Sequence, residues 1–154
     1  MASALIAYLH YVAMILIAVI LVVEYMVCVP GITDGRIRVL ARIDLLYLAA
    51  AVLALGSGVA RVVWFGRGPL FYLHNPVFYI KLALFVAVGL ISIPPTLQYL
   101  RWMRSLNSGA TNVAADYQAV RARRHILVEL ILFAFIPLMA TFMARGIGIQ
   151  PAGQ

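Results

Sequence analysis

Four separate runs of apolar residues, each long enough to cross a bilayer, constrain this chain more than any motif in it. A helix needs roughly 20 apolar residues to span a hydrocarbon core about 30 Å thick. Windows at about 4–28, 41–64, 77–100 and 125–145 reach that length. Water is absent at that depth, so backbone N–H and C=O groups must be satisfied inside the protein. The expected fold is therefore all-α, an integral membrane four-helix antiparallel bundle forming one domain over residues 1–154. Composition agrees, since 65% hydrophobic residues, 11% charged residues and a mean hydropathy of +1.01 exclude an ordinary soluble domain. The first window runs past 20 residues, has no basic segment before it and is followed by three more. It is expected to be a retained span, not a cleaved signal peptide.

A formal charge of +7 would suit nucleic acid, but the arginines lie in short connections between spans. The first and third connections hold Arg36, Arg38, Arg42, Arg101, Arg104, Arg121, Arg123 and Arg124, against Arg61, Arg67, Lys81 and Arg145 on the other side. This eight-to-four split predicts a multi-pass protein with the basic connections in the cytoplasm and both termini outside. Cys28 is the single cysteine, so no internal disulfide framework is possible, and its place at the end of an apolar run suits a small packing residue.

Polar residues inside spans carry the functional information. In span one only His10 and Glu24 interrupt the run before Pro30-Gly31 ends it. They are 14 residues apart and fall within about 40° on one face, with Met14, Ile17 and Leu21 between them. His10 is either a hydrogen-bonded packing residue or a ligand, and Glu24 is expected to pair with Arg42 or another basic residue. In span two Asp44, Ala51 and Gly58 share a face, and Gly56 and Gly58 read as notches that admit a neighbouring helix. Arg61 follows one turn later, as an interfacial anchor or as a clamp for a carboxylate.

The aromatic, glycine-punctuated stretch from Trp64 to Asn75 matches a membrane interface. Asn75-Pro76 is a cap followed by proline at the first helical position, so span three is expected to start there. Lys81 lies one and a half turns inside, where it either snorkels back to the headgroups or meets an anion. Ser92 shares its face to within about 20°, and Pro94-Pro95 predicts a bend. In span four Glu129 lies one turn from His125, and the polar segment before the span favours a helix leading into it.

Alternating directions bring His10, Arg61, Lys81 and Arg145 to one depth, and Glu24, Arg42, Asp44, Gln98, His125 and Glu129 to the other. The first set has cations and a histidine but no carboxylate, which invites an anionic partner. A porphyrin fits, with His10 binding its iron, Arg61 meeting a propionate, and Lys81 as a propionate partner or second axial ligand. A lipid phosphate also fits the charges without using the histidine. In the second set, Glu24, Asp44 and Glu129 are expected to join nearby arginines in an ion-pair network. Zinc-type Cys/His spacing, phosphate loops and nucleotide fingerprints are absent from the sequence.

Several pieces of the chain resemble a family of small four-span bacterial inner-membrane proteins of unknown function. They are Leu9-His10-Tyr11 with Glu24, Asp44, Gly58 to Arg61, Phe71-Tyr72 through Asn75-Pro76 to Lys81-Leu82, Ser92 to Thr96, and Glu129 with Met143 to Gly146. A remoter resemblance is to HemJ-type protoporphyrinogen oxidases and copper-resistance-type membrane proteins, through an early histidine in span one and Lys81-Leu82 opening span three. It implies a heme b pocket at His10 with Lys81 contributing. The tryptophan-rich first span of that oxidase and the arginine-rich turn after it are missing, so its substrate chemistry is not implied. The resulting expectation is a membrane protein that binds heme for redox chemistry, with an electron-transfer partner. The alternatives are an accessory protein holding lipid, and an oligomeric proton or cation transporter using Glu24, Asp44 and Glu129.

Overall fold

The computed structural model describes residues 1–66 and 68–146 of the chain; Arg67, counted above among the basic residues, lies outside them. Every expected span is a helix. They are α1 (Ala2–Val27), α2 (Asp34–Ala60), α4 (Pro76–Asn107) and α5 (Asp116–Ala144), with a π-helical turn at Arg61–Phe65 and a short α3 at Pro69–Leu73 between the second and third. All four long helices are apolar enough to cross a membrane. Large apolar side chains such as Leu45, Val52, Leu90 and Ile131 remain exposed around the bundle. Helices hydrophobic on all sides are what a lipid solvent selects.

The helices outrun the apolar windows at the arginine-rich end. α2 starts at Asp34 instead of 41, α4 continues to Asn107, and α5 begins at Asp116. Hydropathy marks where hydrocarbon begins, whereas backbone hydrogen bonding continues until a cap or a breaker stops it. Asp34 and Asp116 each sit in a first turn, where a negative charge complements the helix dipole. Their carboxylates also reach across the bundle. The Gly31 N–H donates to Asp116 Oδ1 at 2.7 Å, and the Asn112 N–H donates to Asp34 Oδ2 at 3.2 Å. Each connection is thus tied to the helix that follows the other.

At the opposite end Asn75 caps α4 as expected, its side chain accepting from the Val77 N–H at 2.9 Å, with Pro76 at the first position. α4 then runs without a break through Pro94 and Pro95. α1 packs along α2 and α4 along α5, and the two hairpins meet through α1–α5 and α2–α4 contacts without diagonal ones among the described residues. This is a square antiparallel bundle. Its core includes Ala13, Ile17, Leu21, Leu40, Tyr99 and Ile126.

One face of α1 reads as expected: His10, Ala13, Ile17, Leu21 and Glu24 are its buried residues. On α2 the matching face is Tyr47, Ala50, Ala54 and Ser57, whose small members let the two helices approach. Gly58 is a notch, because a Cβ there would stand 3.3 Å from His10 Cε1. Gly56 is not. It is exposed with no atom within 4 Å of an added Cβ, since it points away from α1.

Candidate functional site

His10 is 8% exposed and is held by α2. Its Nδ1 lies 3.0 Å from the Ala54 carbonyl oxygen and 3.1 Å from Ser57 Oγ. A carbonyl only accepts, so Nδ1 carries the hydrogen. The Ser57 hydroxyl donates to the Leu53 carbonyl at 2.6 Å, which leaves its oxygen as a second acceptor for the same N–H. Nε2 has no hydrogen-bond partner among the described residues. In the neutral ring it keeps its lone pair. A backbone carbonyl fixing one ring nitrogen while the other stays open is how ligating histidines are oriented.

The ring forms part of the wall of an open-sided cavity of about 1150 Å³ bounded by α1, α2, the π turn, α4 and α5. Arg61 and Lys81 line the same cavity, and Tyr72, Phe85, Phe133 and Pro137 are among its apolar and aromatic walls. Arg61 begins the π turn, and its guanidinium stands over the Tyr11 ring at 5.3 Å from the centroid. Gly66 closes that turn so tightly that an added Cβ would overlap the Arg61 carbonyl oxygen and come within 2.5 Å of Tyr72 Oη. The wider turn changes which way Arg61 projects relative to a regular helix. Both cations are near enough to influence His10 electrostatically. Neither has an ion-pair partner among the described residues. Three of the four polar residues expected at this depth are therefore gathered around one space. Arg145 is not: it is exposed at the end of α5 and absent from the lining.

At the arginine-rich end Glu24 and Glu129 are 3% and 1% exposed, and Oε1 of each has no hydrogen-bond partner among the described residues. Asp44 Oδ1 accepts from Thr96 Oγ1 at 2.8 Å. The three acids influence one another electrostatically across α1, α2 and α5. The expected ion-pair network with arginine is not formed. Arg42 is exposed, and no ion pair joins these carboxyl groups among the described residues. Arg123 instead lies over the Tyr25 ring, 4.2 Å from its centroid. Long arginine side chains at a helix end reach water or aromatic faces more cheaply than a buried carboxylate. His125 turns back along its own helix, with Nδ1 2.8 Å from the Arg121 carbonyl oxygen. No group of three or more His, Cys, Asp or Glu converges as a site for a bare metal ion among the described residues.

Sequence reasoning missed Ser57 as the second acceptor for His10, the π turn that carries Arg61, and the hydroxyls of Tyr47 and Tyr99. The Gly-Ser-Gly run marked Ser57 as small and gave no sign of its partner. A five-residue π turn has no local sequence signal.

Fold and site together define a four-helix integral membrane protein with a cationic, histidine-bearing cavity at one end and a buried carboxyl layer at the other. The chain belongs to the family described as "Predicted membrane protein (DUF2214)", whose profile matches residues 2–148. No curated protein and no solved structure matches it.

Proposed function

We propose that this protein binds heme b in the His10 cavity and serves redox chemistry or electron transfer in the bacterial inner membrane. The observation that carries the reading is the orientation of His10, with Nδ1–H fixed by Ala54 and Ser57 and Nε2 unpartnered on a residue lining a large apolar cavity. A single histidine does not hold a bare ion, but it suffices for iron whose other equatorial ligands come from a macrocycle. Arg61 and Lys81 suit the propionates, which need cations where the apolar walls end. The volume of about 1150 Å³ exceeds what drug-sized ligands require, so a porphyrin has room. The heme would supply a one-electron couple, while the residues hold, orient and shield it. The remote resemblance to HemJ-type oxidases rests on His10 and Lys81, and these two residues line one cavity. The distribution of arginines supports placing that cavity toward the periplasm, with both termini on that side.

The test is the absorption spectrum of the full chain, expressed with ample heme and purified in detergent, oxidised and then reduced with dithionite. A Soret peak with sharp reduced bands, lost in His10→Ala and retained with altered position in Lys81→Ala, is expected. A featureless spectrum from heme-replete cells overturns the reading.

A further inference from the structure

The carboxyl layer sits beneath a second cavity, of about 320 Å³, between α2 and α4. Leu55, Phe85 and Phe133 line both this cavity and the His10 cavity, so the two abut. On its other side the smaller cavity is lined by Tyr47, Ser92 and Thr96. Two of these hydroxyls meet the acids, and Ser92 stands next to Tyr47. Thr96 donates to Asp44, and Tyr47 lies beside both Ser92 and Glu129. A series of oxygen atoms therefore leads from the arginine-rich end to the cavity that shares Leu55, Phe85 and Phe133 with that of His10.

An independent observation at the acid layer is a third unpartnered oxygen. The Tyr99 hydroxyl belongs to a residue 1% exposed, yet it has no hydrogen-bond partner among the described residues. It lies within electrostatic reach of Cys28, Glu24 and Asp44. Buried polar groups are almost always satisfied, so a layer with unpartnered oxygens on Glu24, Glu129 and Tyr99 needs an explanation. Around these glutamates stand Cys28 and Tyr25 from α1, Asp44 and Tyr47 from α2, Tyr99 from α4 and Arg123 from α5, and Arg123 is occupied by the Tyr25 ring. Carboxylates with no cation in an apolar bundle are neutralised by a proton. Among the described residues the acids do not converge as a metal site, and a proton is a species small enough to meet their unpartnered oxygens.

We propose that the carboxyl layer and the second cavity form a proton path, from the arginine-rich end through Glu24 and Glu129 to the His10 cavity by way of Tyr47, Ser92 and Thr96. At each transfer a carboxyl or hydroxyl oxygen gains a proton as an O–H bond on its neighbour breaks. Water bridges the gaps, no electron moves, and the net change is one proton displaced along the bundle. Leu55, Phe85 and Phe133 form the narrow point. The path does not rest on heme binding, because proton flow down a gradient requires no pigment.

The full chain is reconstituted in phosphatidylcholine vesicles holding a pH-sensitive dye, and a potassium gradient with valinomycin drives protons inward. Flux above protein-free vesicles is expected, falling to the protein-free level in Glu24→Gln and Glu129→Gln variants whose helicity and elution match the unsubstituted protein. Should either variant misfold, dicyclohexylcarbodiimide on the unsubstituted protein decides, since it attacks protonated carboxyl groups in apolar surroundings. An adduct located on Glu24 or Glu129 by mass spectrometry, with loss of flux, is the expected result. Flux equal to protein-free vesicles, folded variants that conduct normally, or no adduct at either glutamate overturns the proposal.

Discussion

Substituting Gly58 by alanine tests whether α2 holds the His10 ring in place. Gly58 lies inside α2, and alanine there is favoured over glycine by about 1 kcal/mol of helix propensity. Opposing this, the new Cβ would stand 3.3 Å from His10 Cε1 and 3.6 Å from Nδ1. The ring must yield by a few tenths of an ångström, which lengthens the 3.0 Å contact to the Ala54 carbonyl and the 3.1 Å contact to Ser57. Interhelical hydrogen bonds in membranes are worth about 0.6 kcal/mol on average and up to about 1.7. Gly58→Ala should therefore leave stability within about 1 kcal/mol of unsubstituted protein, although it is nominally a helix-stabilising change. In a His10→Ala background the obstruction is gone, and the same substitution should give its unopposed gain of about 1 kcal/mol. The coupling between the two positions is then about 0.6–1.7 kcal/mol, measurable by a double-mutant cycle on unfolding in detergent mixtures. Additivity within about 0.5 kcal/mol would falsify the account of His10 as a ring seated against α2.

Two further substitutions probe the ends of the bundle. Asp116→Ala removes the acceptor for the Gly31 N–H at 2.7 Å and a favourable first-turn charge, for an expected loss of about 1 kcal/mol; faster amide exchange over residues 28–33 is the readout, and unchanged protection there would refute the tie between connections. Gly66→Ala places a Cβ against the Arg61 carbonyl oxygen, which should cost about 1–3 kcal/mol by forcing the π turn to rearrange. On the proposed heme reading, weaker pigment retention should accompany that loss, because Arg61 moves with the turn.

The bundle was legible because lipid leaves few ways to satisfy a backbone, so four long apolar runs already imply four helices and their order. The depth of each polar residue follows from alternating directions, which puts His10, Arg61 and Lys81 at one level without any contact being known, and all three line one cavity. Partners were less legible. Glu24 and Arg42 share a depth, yet depth says nothing about rotation around the helix axis, and Arg42 is exposed. Arg145 failed for a related reason: it lies just past α5, where the chain has left the wall of the cavity. The role of Ser57 depended on the approach of α1 to within hydrogen-bonding distance, a property of two helices that neither segment encodes alone.

The separation of charge along the bundle bears on why the site is built as it is. Arg61 and Lys81 at one end are cations, Glu24, Asp44 and Glu129 at the other are carboxyl groups, and contact between the two sets would have satisfied both. Distance along the helices prevents it, since Lys81 and Thr96, the α4 residue that meets Asp44, are 15 residues apart, or about 22 Å at 1.5 Å per residue. A structural bundle gains nothing by carrying unpaired cations at one depth and buried carboxyl groups at another, and apolar residues of similar size would be cheaper at these positions. Retaining them is reasonable if each end meets a mobile partner of its own, an anionic group among the cations and a proton among the acids. The two cavities that meet at Leu55, Phe85 and Phe133 then put those partners in communication through the apolar middle of the bundle.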